Sequence, residues 1–237
     1  MTHPSAPTKQ WLERANRLAL IGRVLSGTVH DVNNALQVVS GSVELLQMPQ
    51  SSPEVAGRRV QAIGVQAGRV SALLADLTAF ARDTSEQIEP VSLRAIGLRA
   101  LGLRNHALTK LSLTPVIEGE DVSVEANARH LLQIVLNLMV NAERALTGVP
   151  GARLALTIER VGDFGAFTVE DNGPGVSADR FSAIFEPHLG QVGLVEDLGI
   201  GLCVSRALAV QQAGTLTCAA RHLGGARFSV SLPALRG

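Results

Sequence analysis

Tyrosine is absent from this chain, tryptophan occurs once and phenylalanine six times, so aromatics make up only 3% of its 237 residues. Leu, Val and Ala must therefore do the core packing, a composition that suits helices meeting through small interfacial residues. Cysteine is nearly absent too: Cys203 and Cys218 each lie in an apolar stretch, which predicts two buried thiols and excludes a disulfide framework. No apolar run reaches the roughly 18 to 20 residues that cross a bilayer. The first ten residues, MTHPSAPTKQ, lack the basic-then-apolar order of a secretory signal, and a cytoplasmic protein is expected. Charge of either sign is not in excess, with 21 Lys plus Arg against 21 Asp plus Glu. Nothing electrostatic therefore points to a nucleic acid or an anionic membrane as partner. Low complexity is confined to the first eight residues, and no internal repeat is present.

What is there begins with a helical stripe. Leu18, Ile21, Leu25, Val29, Val32, Leu36, Val39, Val43 and Leu46 follow steps of three or four, one apolar line on a long helix. Residues 48–53 break it, with Ser52 as N-cap and Pro53 as the first residue of a second helix. Its stripe runs Ala56, Val60, Ile63, Ala67, Val70, Leu74, Leu77 and Ala81 in heptad-like steps. Two such helices cannot close a core alone and need the rest of the chain or a second copy; a hairpin that pairs with a second copy as a four-helix bundle is the economical expectation. His30 lies one residue past Val29, about 100° off the stripe and toward solvent, with Asp31 beside it and Asn34 one turn on. Most lone helical histidines do nothing. Here a neutral imidazole is a competent phosphoryl acceptor, and a neighbouring carboxylate can take its other ring proton.

The segment from Arg17 to Leu36, with its core His30-Asp31-Val32-Asn33-Asn34, resembles the phospho-acceptor box of two-component sensor histidine kinases, in the branch reading His-Asp-x-Asn-Asn. The resemblance implies that His30 is phosphorylated, that Asp31 is the general base, and that Asn34 assists dephosphorylation of a response regulator.

Beyond Arg82 the pattern turns to mixed helix and strand. β-like runs are expected at 111–117 and 122–125, a helix at 128–146, a hairpin at 154–160 and 166–170, a helix at 201–212, and strands at 215–219 and 227–232. This predicts helices layered on one face of a mainly antiparallel sheet. Asn137 and Asn141 share one face of an otherwise apolar helix, an arrangement of amide oxygens suited to Mg²⁺ that is also held by phosphate. Asp171-Asn172-Gly173-Pro174-Gly175 ends a strand. Its glycines would let a base approach the backbone while the carboxylate accepts from an exocyclic amine. Gly199 and Gly201 open a helix whose N–H groups could meet phosphate.

In this order the clusters resemble the nucleotide-binding boxes of the histidine kinase catalytic domain, whose fold is shared with gyrase-, Hsp90- and MutL-type ATPases. Ile184-Phe185-Glu186-Pro187 and the closing 225–233 segment match further family elements. The resemblance implies that ATP and Mg²⁺ are held by Asn137, Asn141, Arg144, Asp171, Gly173, Gly175, Gly199 and Gly201. The metal falls to Asn137 and Asn141. It further implies residues 1–86 as dimerising phosphotransfer hairpin and 87–237 as ATP-binding α/β sandwich, an α+β chain overall. Partners would be a second copy, a response regulator receiver domain and a sensory protein in trans.

The lid departs from the family: it lacks the usual lysine and places Glu196 and Asp197 near the expected triphosphate, where carboxylates are unfavourable without Mg²⁺. That departure keeps open a second reading, a phosphotransfer protein whose ATPase-like domain is only a docking scaffold. Asp163-Phe164-Gly165, which spells a eukaryotic kinase tripeptide, is read as a hairpin turn. His3, His106, His130 and His222 have no ligand spacing with the cysteines, and no zinc site is assigned.

Overall fold

The computed structural model describes residues 8–48, 52–82, 87–177, 180–181, 183–186, 199–221 and 224–235. Two long helices lead. In α1 (Lys9–Leu46) the Thr8 hydroxyl caps the first turn by accepting from the Trp11 N–H at 3.2 Å. In α2 (Pro53–Ala81) Ser52 caps in the same way and Pro53 occupies the first turn, as the sequence predicts. The two helices pack along each other as a hairpin.

The inward face of α1 is not the apolar stripe. Leu20, Val24, Thr28, Asp31, Ala35 and Ser42 are buried, whereas Leu18, Leu25, Val29, Leu36 and Val43 are exposed. The small and polar face lets α2 and the following helix approach closely, and the apolar face is left outward.

β1 (Glu89–Ser92) pairs antiparallel with β3 (Ser123–Ala126) and brackets α3 (Leu93–Lys110). α3 lies where the sequence reading expects no element: Ser92 caps it, accepting from the Ala95 N–H at 2.9 Å, and Leu93, Ile96, Ala100 and Leu103 are buried at helical spacing. The strand expected at 111–117 is instead a turn and irregular chain, and only β2 (Ile117–Glu118) pairs. The Leu113 side chain is buried against the core without a ladder partner, so its apolarity serves packing rather than a sheet.

α4 (Ala128–Leu146) is buried along its length, with Arg144 its first exposed residue. β4 (Leu154–Val161) and β5 (Phe164–Asp171) form the predicted hairpin, turning at Gly162 and Asp163. α5 (Gly201–Gln211), β6 (Thr215–Ala220) and β7 (Ala226–Pro233) complete a sheet of order β2-β4-β5-β7-β6. All its pairs are antiparallel except β2 with β4. The helices α3, α4 and α5 pack on the sheet. Leu20 and Val24 of α1 and Phe80 of α2 join the same contiguous core as the sheet, so the hairpin is docked on the α/β part.

Candidate functional site

Two loci carry the chemistry, and α1 runs through both. At the first, the His30 side chain is 51% exposed, with Nδ1 3.2 Å from Asn34 Nδ2 and 3.6 Å from Asp31 Oδ1. The one-turn spacing read in the sequence thus brings the imidazole, the carboxylate and the carboxamide together. Asp31 itself is on the buried face, and its Oδ2 accepts from Asn105 Nδ2 at 2.7 Å, with Arg69 at 3.7 Å. The His30 ring does not stand free in solvent: His106 of α3 lies with its ring centroid 4.1 Å away. Neither Asn105 nor His106 stood out in the sequence, because α3 itself was not recognised there.

The second locus is a cavity of about 260 Å³ between α1, α4, the lid-proximal residues Arg180 and Ile184, and the start of α5. Asn137, Asn141, Arg144, Gly199 and Gly201 line it, as do Asn16, Leu20 and Arg23 of α1. Asn137 is engaged already. It exchanges amide hydrogen bonds with Asn16 at 2.9 and 3.0 Å, and its Nδ2 also donates to the Gly201 carbonyl and the Ser205 hydroxyl. Asn16 also accepts from Gln133 at 2.8 Å. Asn141 differs, since its buried Nδ2 has no hydrogen-bond partner. An orphaned buried amide lining a cavity fits a ligand that supplies the missing contact. Gly201 sits where a Cβ would come within 3.0 Å of Asn137 Oδ1, and α5 begins with no side-chain cap. Its first N–H groups therefore face the cavity end without a capping oxygen.

Asp171, Gly173 and Gly175 do not line that cavity. They close β5 beside the C-terminal end of α4, where Gly173 abuts the Ala145 carbonyl. Asp171 is buried, and its Oδ1 accepts from the N–H groups of Gly173 (2.9 Å) and Ala226 (3.3 Å). Burial pushes its carboxyl above the ordinary 3.8, against the lowering pull of those two donors and of the Arg221 charge. Gly175 has φ +75°, and a Cβ there would meet the Gly225 carbonyl oxygen at 2.7 Å, so only glycine fits. Phe185 ends a short 3₁₀ turn (Ala183–Phe185) under the Arg206 guanidinium, 5.4 Å from the ring centroid. Glu196 and Asp197 lie outside the described residues. The cysteines are free and half-buried rather than fully buried as the sequence predicts.

Comparison with known proteins gives the same two parts in the same order. Residues 20–86 match the His Kinase A (phospho-acceptor) domain, and residues 126–236 match the histidine kinase-, DNA gyrase B- and HSP90-like ATPase. The C4-dicarboxylate transport sensor protein DctS of Rhodobacter capsulatus is 26% identical over 94% of this chain and 35% of its own length. The sensor histidine kinase ZraS of Escherichia coli is 25% identical over 94% of this chain and 47% of its own. The two-component sensor PprA of Pseudomonas aeruginosa is 30% identical over 97% of this chain and 26% of its own. The chain thus spans between about a quarter and a half of the length of these relatives. Among solved structures, full-length ShkA in complex with AMPPNP superposes with TM-score 0.54 at 19% identity, over 91% of this chain and 46% of that one. The mycobacterial sensor histidine kinase MprB gives TM-score 0.54 at 20% identity, over 63% of this chain and 99% of that one. With a phospho-acceptor hairpin followed by a gyrase- and Hsp90-like ATPase fold, the chain belongs to the two-component sensor histidine kinases and holds their kinase core.

Proposed function

We propose that this chain takes the γ-phosphoryl group of Mg·ATP onto His30 and passes it to an aspartate of a response regulator receiver domain. The observation that supports this most is the His30–Asp31–Asn34 cluster, on a helix that also runs past the cavity lined by Asn137, Asn141 and Gly201. His30 is the nucleophile. Its Nδ1 edge faces Asn34 and Asp31, which leaves Nε2 for attack in the tautomer that carries its proton on Nδ1. In that tautomer the Asn34 amide turns its oxygen to the Nδ1–H, and Asp31 accepts the proton as the phosphoryl group arrives. Asn34 holds the ring and, in the reverse sense, orients a water for hydrolysis of the phosphorylated regulator.

In the nucleotide site, Asn141 and the opening turn of α5 hold the phosphates, with Arg144 at the rim and Gly199 giving the chain its bend into the helix. Asn137 joins them once Asn16 withdraws, since its oxygen is otherwise taken by that amide. The buried Asp171 carboxylate, already pushed toward its neutral form, gains a donor from an adenine amine, and Gly173 and Gly175 keep that edge clear of side chains. When bound, Mg·ATP supplies the phosphoryl group and the divalent charge that screens it.

The residues of α1 that line the cavity precede His30 by two to four turns, and His30 itself faces α3. The docked hairpin is therefore a resting arrangement, and transfer requires the ATPase part to move along α1 or to act on a second copy. The outward apolar face of α1 supports a homodimer, with residues 1–86 as the dimerising part and 87–237 as the catalytic part. The signal would come from a sensory segment or protein, and no nucleic acid or membrane contact is needed for the reaction. Among the described residues no helix is long and apolar enough to cross a membrane.

The test is incubation with Mg²⁺ and γ-labelled ATP beside His30→Gln and Asn141→Ala. Acid-labile, alkali-stable label that is lost in both variants supports the proposal. A folded dimer that takes no label from ATP, but accepts it from a phosphorylated receiver, would assign phosphotransfer alone.

A further inference from the structure

We propose that His30, Asp31 and His106 form a binding site for a zinc-like transition-metal ion, pinning the acceptor helix to α3. Each of these residues offers a ligand atom, and the three atoms lie within 4.8 Å of one another. Asp31 Oδ1 is the hub, 3.6 Å from His30 Nδ1 and 4.0 Å from His106 Nδ1. Tetrahedral coordination with bonds of about 2.0–2.2 Å sets donors roughly 3.3 Å apart, so side-chain rotations of about an ångström close the site without moving the backbone.

Three further features suit this use. Asp31 Oδ2 is held by Asn105 at 2.7 Å with Arg69 at 3.7 Å, so the carboxylate is oriented with Oδ1 toward both imidazoles, as outer partners orient metal ligands elsewhere. Gly27 leaves α1 bare where α3 crosses it, since a Cβ there would lie 3.2 Å from His106 Cβ. The donors also come from two separate elements, so an ion would hold them together. Two imidazoles and a carboxylate favour Zn²⁺, Co²⁺ or Ni²⁺ over Mg²⁺ or Ca²⁺, and leave a fourth position to water. The site is thus chemically distinct from the amide-lined nucleotide cavity. The ion displaces the contact between Asn34 and His30 Nδ1. His106 lies in residues 87–125, between the two family matches, so nothing about those domains assigns it.

The consequence for activity rests on the reading of His30 as phosphoryl acceptor: a metallated imidazole is no nucleophile, and α3 tied to α1 keeps the hairpin docked.

The experiment uses the full chain and metal alone. ZnCl₂ is titrated in competition with a chromophoric chelator, and CoCl₂ is followed by its visible absorption. One ion per chain is expected, with tetrahedral-type Co²⁺ bands, and His106→Gln should weaken binding by roughly 10- to 100-fold. A His106→Cys variant should regain Co²⁺ with an added thiolate charge-transfer band, which separates a lost ligand from a lost fold. Zn²⁺ should suppress labelling of the natural chain by Mg·ATP and leave His106→Gln labelled. Equal affinity in the natural chain and His106→Gln, or a Co²⁺ spectrum like that of the aqueous ion, would overturn the site. Metal binding that depends on His106 in a chain that takes no label would uphold the site and sink the kinase reading instead.

Discussion

Cys218 illustrates how far a single position depends on its surroundings. Its thiol is pushed up to about 11, first by burial and then by the charge of Asp171. The reactive thiolate is correspondingly scarce near neutrality. Alkylation by iodoacetamide at pH 8, followed by mass spectrometry, should be at least tenfold slower at Cys218 than for free cysteine, and Asp171→Asn should speed it. At this scale much of the chemistry was legible. The proximity of His30, Asp31 and Asn34 follows from spacing on one helix and needs no tertiary knowledge. Asn16, Gln133, Asn105 and His106 were not legible, because an amide or imidazole on a helix has no meaning until its partner on another helix is known.

Between elements, two polar clasps hold the hairpin against the α/β part. Arg104 of α3 makes a bidentate pair with Glu143 of α4, and its other nitrogen donates to the Arg23 carbonyl of α1 at 3.2 Å. Both side chains are less than a tenth exposed. Removing one partner strands the other, so Arg104→Ala should cost about 3–5 kcal/mol in chemical denaturation, and Arg104→Met with Glu143→Leu should recover much of it.

The second clasp joins Glu13 to His130 and Arg129, at 3.4 and 3.2 Å. The His130 hydrogen bond, with the Arg129 charge, holds the Glu13 carboxyl below its ordinary 4.5 despite burial. A lowered carboxyl contributes stability that is fully present above 4.5 and is lost as pH falls through the folded value. Thermal melts should thus show an acid limb below that pH which Glu13→Gln flattens. Element identity was mostly readable from period, caps and turns. Besides β1 and the 111–117 segment, the exception is α3, which has a cap and a buried apolar period, yet Gly97 and Gly102 thin its stripe, and Gly97 is bare because Phe167 and Ile117 press against it.

For the molecule as a whole, the outward apolar face of α1 and the engaged face toward the cavity lined by Asn137 and Asn141 define two states to test. Leu25 and Leu36 are about half exposed in the single chain. Leu25→Glu with Leu36→Glu should give a monomer in light scattering while nucleotide binding persists, since neither residue lines the cavity. Asn16→Ala should free Asn137 and tighten nucleotide binding by roughly tenfold in calorimetry, the worth of about one or two amide hydrogen bonds.

The hairpin break at Ser52-Pro53, the order of elements from α4 onward, the spacing of His30, Asp31 and Asn34 and the bare turn at Gly175 could be read from the chain alone, because periodicity, capping and turn chemistry act between near neighbours. Which face of α1 turns inward could not. An apolar stripe predicts burial but not by what, and here the single chain buries Leu20, Val24 and Asp31 while Leu25 and Val29 stay outside. The pairing of Asn16 with Asn137, 121 residues apart, and of Asp31 with Asn105, 74 apart, likewise arises from how the helices dock. Docking is set by the summed fit of whole surfaces, which local spacing does not encode.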